Sequence, residues 1–106
     1  MNPSKVDRAR VVELTDLPNI GPASAGDFRL LGIHKPSQLA GKCPFEMYEA
    51  LCEITATRHD PCVIDVFMSA TRFMEGEEAR PWWAYTEERK QLLAQKASNN
   101  VAGGDV

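Results

Sequence analysis

Long apolar runs are missing from this sequence, and so is any excess of positive charge. No stretch approaches the roughly 18 apolar residues that span a bilayer. Residues 1–10 lack the apolar segment of a secretory leader, so the expected location is the cytoplasm. Basic residues number 12 against 15 acidic, for a net charge of -3. That balance excludes a polybasic coat holding nucleic acid by charge density alone, and any such contact has to be local. Cysteines are few, at positions 43, 52 and 62. An odd number so widely separated speaks against a disulfide framework and suits a reducing compartment, with the thiols used for packing. Gly and Pro, seven each, are too few for collagen-like or low-complexity chains. Enzymatic motifs are also missing: there is no phosphate-binding GxxxxGK loop, no nucleophile elbow and no paired histidine, and His34 and His59 stand in unrelated contexts. Cys52, His59 and Cys62 match no zinc spacing. The expectation is a protein that is not an enzyme and has no cofactor or metal.

What is present is apolar patterning in helix-sized segments between punctuating residues. At 106 residues and 43% apolar, the chain suffices for one domain, assigned to residues 1–97, with 98–106 read as a disordered tail. No segment alternates with period two, so the fold class is all-α. A first helix is expected to start between Ser4 and Val12, with Ser4 and Asp7 at capping distance, and to end at Leu17 before Pro18. A second starts at Pro22, runs through Ala25, Phe28 and Leu31, and stops at Gly32. Pro36 to Ala40 leaves room for about one turn. A third helix runs from Pro44 to about Ile54, with Phe45, Tyr48, Leu51 and Cys52 on one stripe and Glu46, Glu49 and Glu53 on the reverse. Asp60 caps Pro61 at the start of the most hydrophobic helix, which carries Val63, Val66, Phe67, Ala70, Phe73 and Met74 as far as Gly76. After an acidic loop and the aromatic loop of Pro81, Trp82, Trp83 and Tyr85, Thr86 caps a polar helix to about Lys96.

One stretch implies chemistry: Leu17-Pro18-Asn19-Ile20-Gly21-Pro22-Ala23-Ser24-Ala25. Two helices separated by so few residues must turn sharply, and Asn19 and Gly21 are the residue types that tolerate positive φ with least strain. Ile20 between them would plug the core. The helix that follows presents unsatisfied N–H groups and the positive end of its dipole, a geometry that favours a phosphate.

This stretch resembles a helix-hairpin-helix motif, whose usual form is leucine, proline, glycine, hydrophobic, glycine, and an alanine four residues on. Those places hold Leu17, Pro18, Asn19, Ile20, Gly21 and Ala25, with Asn19 as the left-handed substitute for the first glycine. The position after Pro22 is often basic in DNA-binding members and here is Ala23, which lowers the expected affinity. Leu30-Leu31-Gly32-Ile33, Leu51-Cys52, Asp60-Pro61-Cys62-Val63, the helix through Phe73, and Trp82-Trp83 extend the likeness. From about Leu14 to Arg89 the chain resembles the pathogenicity locus family of small bacterial proteins, some labelled mitomycin-resistance proteins. The resemblance implies a five-helix domain of duplicated helix-hairpin-helix type. Its second hairpin is degenerate, since the turn at residues 55–60 has no glycine. It also implies sequence-independent, non-catalytic binding to the DNA backbone, accessory to DNA repair or to stress and mitomycin resistance.

The candidate nucleic-acid-binding residues are therefore Asn19, Ile20, Gly21, Pro22, Ala23 and Ser24, with Gly21, Ala23 and Ser24 as main-chain donors and Arg29, Lys35 and Lys42 as flanking cations. Charge is distributed accordingly: residues 1–42 hold six basic and four acidic side chains, net +2, and 43–106 hold six and eleven, net -5. One hairpin makes few phosphate contacts, so weak binding is expected, with a homodimer or protein partner to strengthen it. The competing reading is a protein-interaction adaptor whose hairpin is purely structural. Trp82, Trp83 and Tyr85 read chiefly as a lid on the core, with stacking on unpaired bases as the alternative.

Overall fold

Proline and glycine set most helix boundaries. The computed structural model describes residues 7–104, with side chains through Lys96. Among these residues the regular structure is entirely helical: α1 Pro22–Leu30, α2 Pro44–Thr55, α3 Cys62–Met74 and α4 Thr86–Gly104, joined by short 3-10 turns. Helices α1 and α2 each begin on a proline, whose missing N–H costs nothing in a first turn. Gly32 and Gly76, at φ 79° and 108°, turn the chain out of α1 and α3. Helix α2 ends differently, on Ala56 at φ 53°, a left-handed conformation that costs a non-glycine residue about 1 kcal/mol. The connector expected at Pro36 to Ala40 is a single 3-10 turn, Pro36–Leu39.

Helix α3 is central. Ile64, Phe67, Met68, Ala70 and Phe73 are all buried, and so are the polar Asp65, Ser69 and Thr71. Burial thus extends beyond the apolar residues singled out in the sequence. One side of α3 packs with Leu14, Leu17, Ile20, Phe28, Leu39 and Leu51, and the rings of Phe28 and Phe67 lie 5.2 Å apart. The other side meets Tyr48 and Tyr85, with Leu92 and Leu93 of α4 against that cluster. Each such side chain contributes roughly 1.5–3 kcal/mol by leaving water.

Asp65 has no exposed surface and has its charge matched internally. Arg89 Nε donates to its Oδ1 at 2.9 Å and Thr86 Oγ1 donates to its Oδ2 at 2.7 Å. The carboxylate holds the Arg89 guanidinium above its usual pKa and fastens the start of α4 to α3. Thr86, expected as a helix cap, directs its hydroxyl to Asp65 instead, because the 3-10 turn Trp82–Tyr85 runs directly into α4.

Two expectations need correction. The first helix does not form as an α-helix: residues 8–10 and 14–16 make two isolated 3-10 turns, and Ser4 lies outside the described residues. Local side-chain bonds replace the helical ladder, since Asp16 Oδ2 accepts the N–H groups of Val12 and Glu13 at 3.0 and 2.8 Å while Glu13 stays extended. Asp7 caps the earlier turn through the Ala9 N–H at 3.0 Å, and Arg8 donates to the Phe73 and Glu77 carbonyls at the end of α3. The domain therefore has four α-helices among the described residues, not five. At the other end, α4 runs to Gly104, past the limit near Lys96, because no proline or glycine interrupts it before Gly103.

Candidate nucleic-acid interface

The turn is built from Leu17-Pro18-Asn19-Ile20. The Ile20 N–H donates to the Leu17 carbonyl at 3.3 Å, Pro18 occupies the second place, and Asn19 sits at φ 67° in the third. This is the pattern of a type II turn, in which the third residue must adopt positive φ. The substitution of Asn for Gly at position 19 is thus compatible with the turn. Gly21 departs from expectation. Its φ is -92° with ψ -174°, extended backbone open to any residue, and a Cβ built there would meet no atom within 4 Å. Glycine at this position leaves the main chain uncovered rather than permitting a strained bend.

Helix α1 begins without a side-chain cap. Its first helical bond is from the Ala25 N–H to the Gly21 carbonyl, and among the described residues the N–H groups of Gly21, Ala23 and Ser24 have no acceptor. Gly21, Pro22 and Ala23 are exposed and Ser24 is half-buried. Ile20 is 1% exposed, so its side chain plugs the core beneath the turn as expected. Asn19, Ile20, Gly21, Pro22, Ala23 and Ser24 are thereby brought together around three free donors at the positive end of a helix.

The flanking cations are placed differently. Arg29 is exposed in the last turn of α1, about 9 Å along the axis from Ala23, where it complements the opposite end of the dipole. Lys35 and Lys42 are exposed on either side of the connector turn. Arg80, not among the expected cations, has its main chain at the turn. Asn19 Nδ2 donates to the Arg80 carbonyl at 2.7 Å, tying the turn to the segment that leads into the tryptophans. Arg80 is exposed and has no ion pair among the described residues. No local pattern in the sequence could have signalled a contact spanning 61 positions.

Beside that tether lies a cleft of about 500 Å³ lined by Thr15, Asn19, Ile20, Gly21, Pro22, Trp82 and Trp83. The lid expected from the aromatic loop is supplied chiefly by Tyr85, 2% exposed, whereas Trp83 is 62% exposed. In a 3-10 turn residues three apart share a side, so Trp82 is aligned with the buried Tyr85 and Trp83 is rotated away.

The remaining candidates are structural. Cys52 is buried, Cys43 and Cys62 are half-buried, and none forms a disulfide. Burial and the neighbouring Asp60 raise the Cys62 thiol pKa, opposing its ionisation. His59 is half-buried rather than a surface imidazole, with Nε2 2.8 Å from Thr55 Oγ1 and its carbonyl accepting from the Tyr48 hydroxyl. Among the described residues no group of three His, Cys, Asp or Glu side chains gathers in a way that could hold a metal ion. No helix there is long and apolar enough to cross a membrane.

These features define a small all-helical protein with an uncapped helix start exposed on a proline-directed turn. The chain belongs to the pathogenicity locus family, whose model matches residues 7–91, a span that includes both the turn and the tryptophan pair. It is similar to the mitomycin resistance protein McrB of Streptomyces lavendulae, with 43% identity over 91 residues, 86% of this chain and 87% of that protein. No solved structure matches it.

Proposed function

We propose that this protein binds the nucleic-acid backbone without reading sequence and without catalysis, through a helix-hairpin-helix-type turn at Asn19 to Ser24. The observation that carries the reading is the set of three N–H groups, on Gly21, Ala23 and Ser24, left without acceptors on an exposed turn. Main-chain donors at a helix start suit a phosphate oxygen, and they position a backbone without distinguishing bases. Arg80 adds charge beside the turn, while Arg29, Lys35 and Lys42 supply longer-range attraction over the basic half of the chain. Few phosphates are engaged, so binding by one copy is weak, and a second copy or a protein partner supplies the rest. The setting is cytoplasmic, as an accessory to DNA repair or to drug tolerance, in keeping with the mitomycin resistance named for the relative.

The test is the affinity of the protein for labelled DNA at low and moderate salt, alongside Gly21→Val. Binding that weakens gently with salt and is lost in the variant is expected, because counterion release scales with the few phosphates held. Gly21 lies in open space, so the variant keeps its fold. Absence of binding, or affinity indifferent to both salt and the variant, contradicts the reading and favours an adaptor whose turn is structural.

A further inference from the structure

We propose that the cleft between the turn and the tryptophans receives one unpaired base, so that the protein prefers single-stranded DNA or an exposed nucleotide to intact duplex. This rests on the backbone-binding reading and assigns its substrate class. The cleft itself is the starting observation. At about 500 Å³ it has the size of a small-ligand site, and its lining contains two indoles and no carboxylate. Trp83 is 62% exposed and pairs with Trp82 in an edge-to-face arrangement, with centroids 5.7 Å apart and planes at 84°. An uncovered indole at the edge of a cleft is a stacking platform of the kind that single-strand binders offer to successive bases.

The opposite wall supplies the complement. Gly21 and Asn19 line the same cleft, so the free Gly21 N–H lies at its edge. Asn19 bonds to the Arg80 carbonyl and thereby holds the two walls in register. An aromatic face and a main-chain donor at the edge of one cleft match the two ends of a single nucleotide. Paired bases are stacked within a duplex and cannot lie on Trp83, so a duplex could engage only the donor wall.

The experiment compares a short single strand, its duplex, and an abasic strand of equal length, by anisotropy of a labelled end and by quenching of intrinsic fluorescence. Trp82 and Trp83 are the only two tryptophans of the chain, so quenching reports on this cleft. The wild type is expected to bind the single strand more tightly than the duplex or the abasic strand, with quenching. Trp83→Ala, at an exposed position, should weaken the single strand roughly five- to hundredfold and leave duplex affinity unchanged, with Trp83→Phe in between. Equal affinity for abasic and base-bearing strands, or a Trp83→Ala protein that binds the single strand like wild type, overturns the proposal. If Gly21→Val abolishes binding while Trp83→Ala does not, only this proposal falls. If the wild type binds none of the three, the backbone reading falls with it.

Discussion

Two helix junctions in this molecule treat their polar groups in opposite ways. At the junction before α1, three main-chain donors have no acceptor among the described residues. At the junction between α2 and α3 the equivalent donors are satisfied internally: Asp60 Oδ1 accepts the Cys62 N–H at 2.9 Å, and the N–H groups of Val63 and Ile64 go to the Asp60 and Pro61 carbonyls at 3.0 and 2.9 Å. The second junction is the one flanked by two full α-helices, yet it is the first, with only a 3-10 turn on its leading side, that leaves donors without acceptors. Helical regularity is therefore a poor guide to which main-chain donors are satisfied.

The largest expected effect breaks the inward-facing region. Asp65→Ala strands Arg89, only 12% of whose side chain is exposed, and should cost about 3 kcal/mol in chemical denaturation while leaving the α1 turn intact. Next comes the outward-facing turn. Asn19→Ala must hold φ near 67° without a compensating side chain and loses the bond to Arg80, so it should cost about 1–2 kcal/mol. Asn19→Gly keeps the turn and removes only the tether. It should fold well and bind single strands more weakly, which separates conformation from cleft assembly.

Ala56→Gly sharpens the contrast from the other side. Relief of its left-handed strain, offset by the flexibility of glycine, should raise stability by about 0.5 kcal/mol in thermal melts. It should not confer binding, because the α3 donors remain occupied. The smallest effect concerns pH. Asp60 accepts the Cys62 N–H, which holds its carboxyl below the usual range. A depressed native pKa contributes stability above the ordinary carboxylate pKa that is lost as pH falls through the lowered value. Asp60→Ala should therefore melt slightly earlier than wild type at neutral pH, and the gap should close in acid.

The helix boundaries marked by Pro22, Gly32, Pro44 and Gly76 were legible because proline and glycine act locally, and Ile20 was legible as a core plug from its place between turn residues. The first arm was misread because Leu14 and Leu17 sit at helical spacing and are buried, but Asp16 bonds back to Val12 and Glu13 and breaks the ladder. Of the two turn residues that tolerate positive φ, Asn19 adopts it and Gly21 is extended. Asp65 within an apolar stretch gave no local sign of its partner 24 positions away. The cleft was illegible for the same reason: it joins Asn19 to Pro22 with Trp82 and Trp83, and nothing near either segment announces the other.

The central claim is that the donors before α1 are available to a phosphate oxygen and those before α3 are not. Amide resonances followed by NMR while DNA is added test this directly. Shifts concentrated on Gly21, Ala23 and Ser24, with Cys62, Val63 and Ile64 unmoved, are the predicted result. Shifts that are absent at the first set, or equal at both junctions, would contradict it.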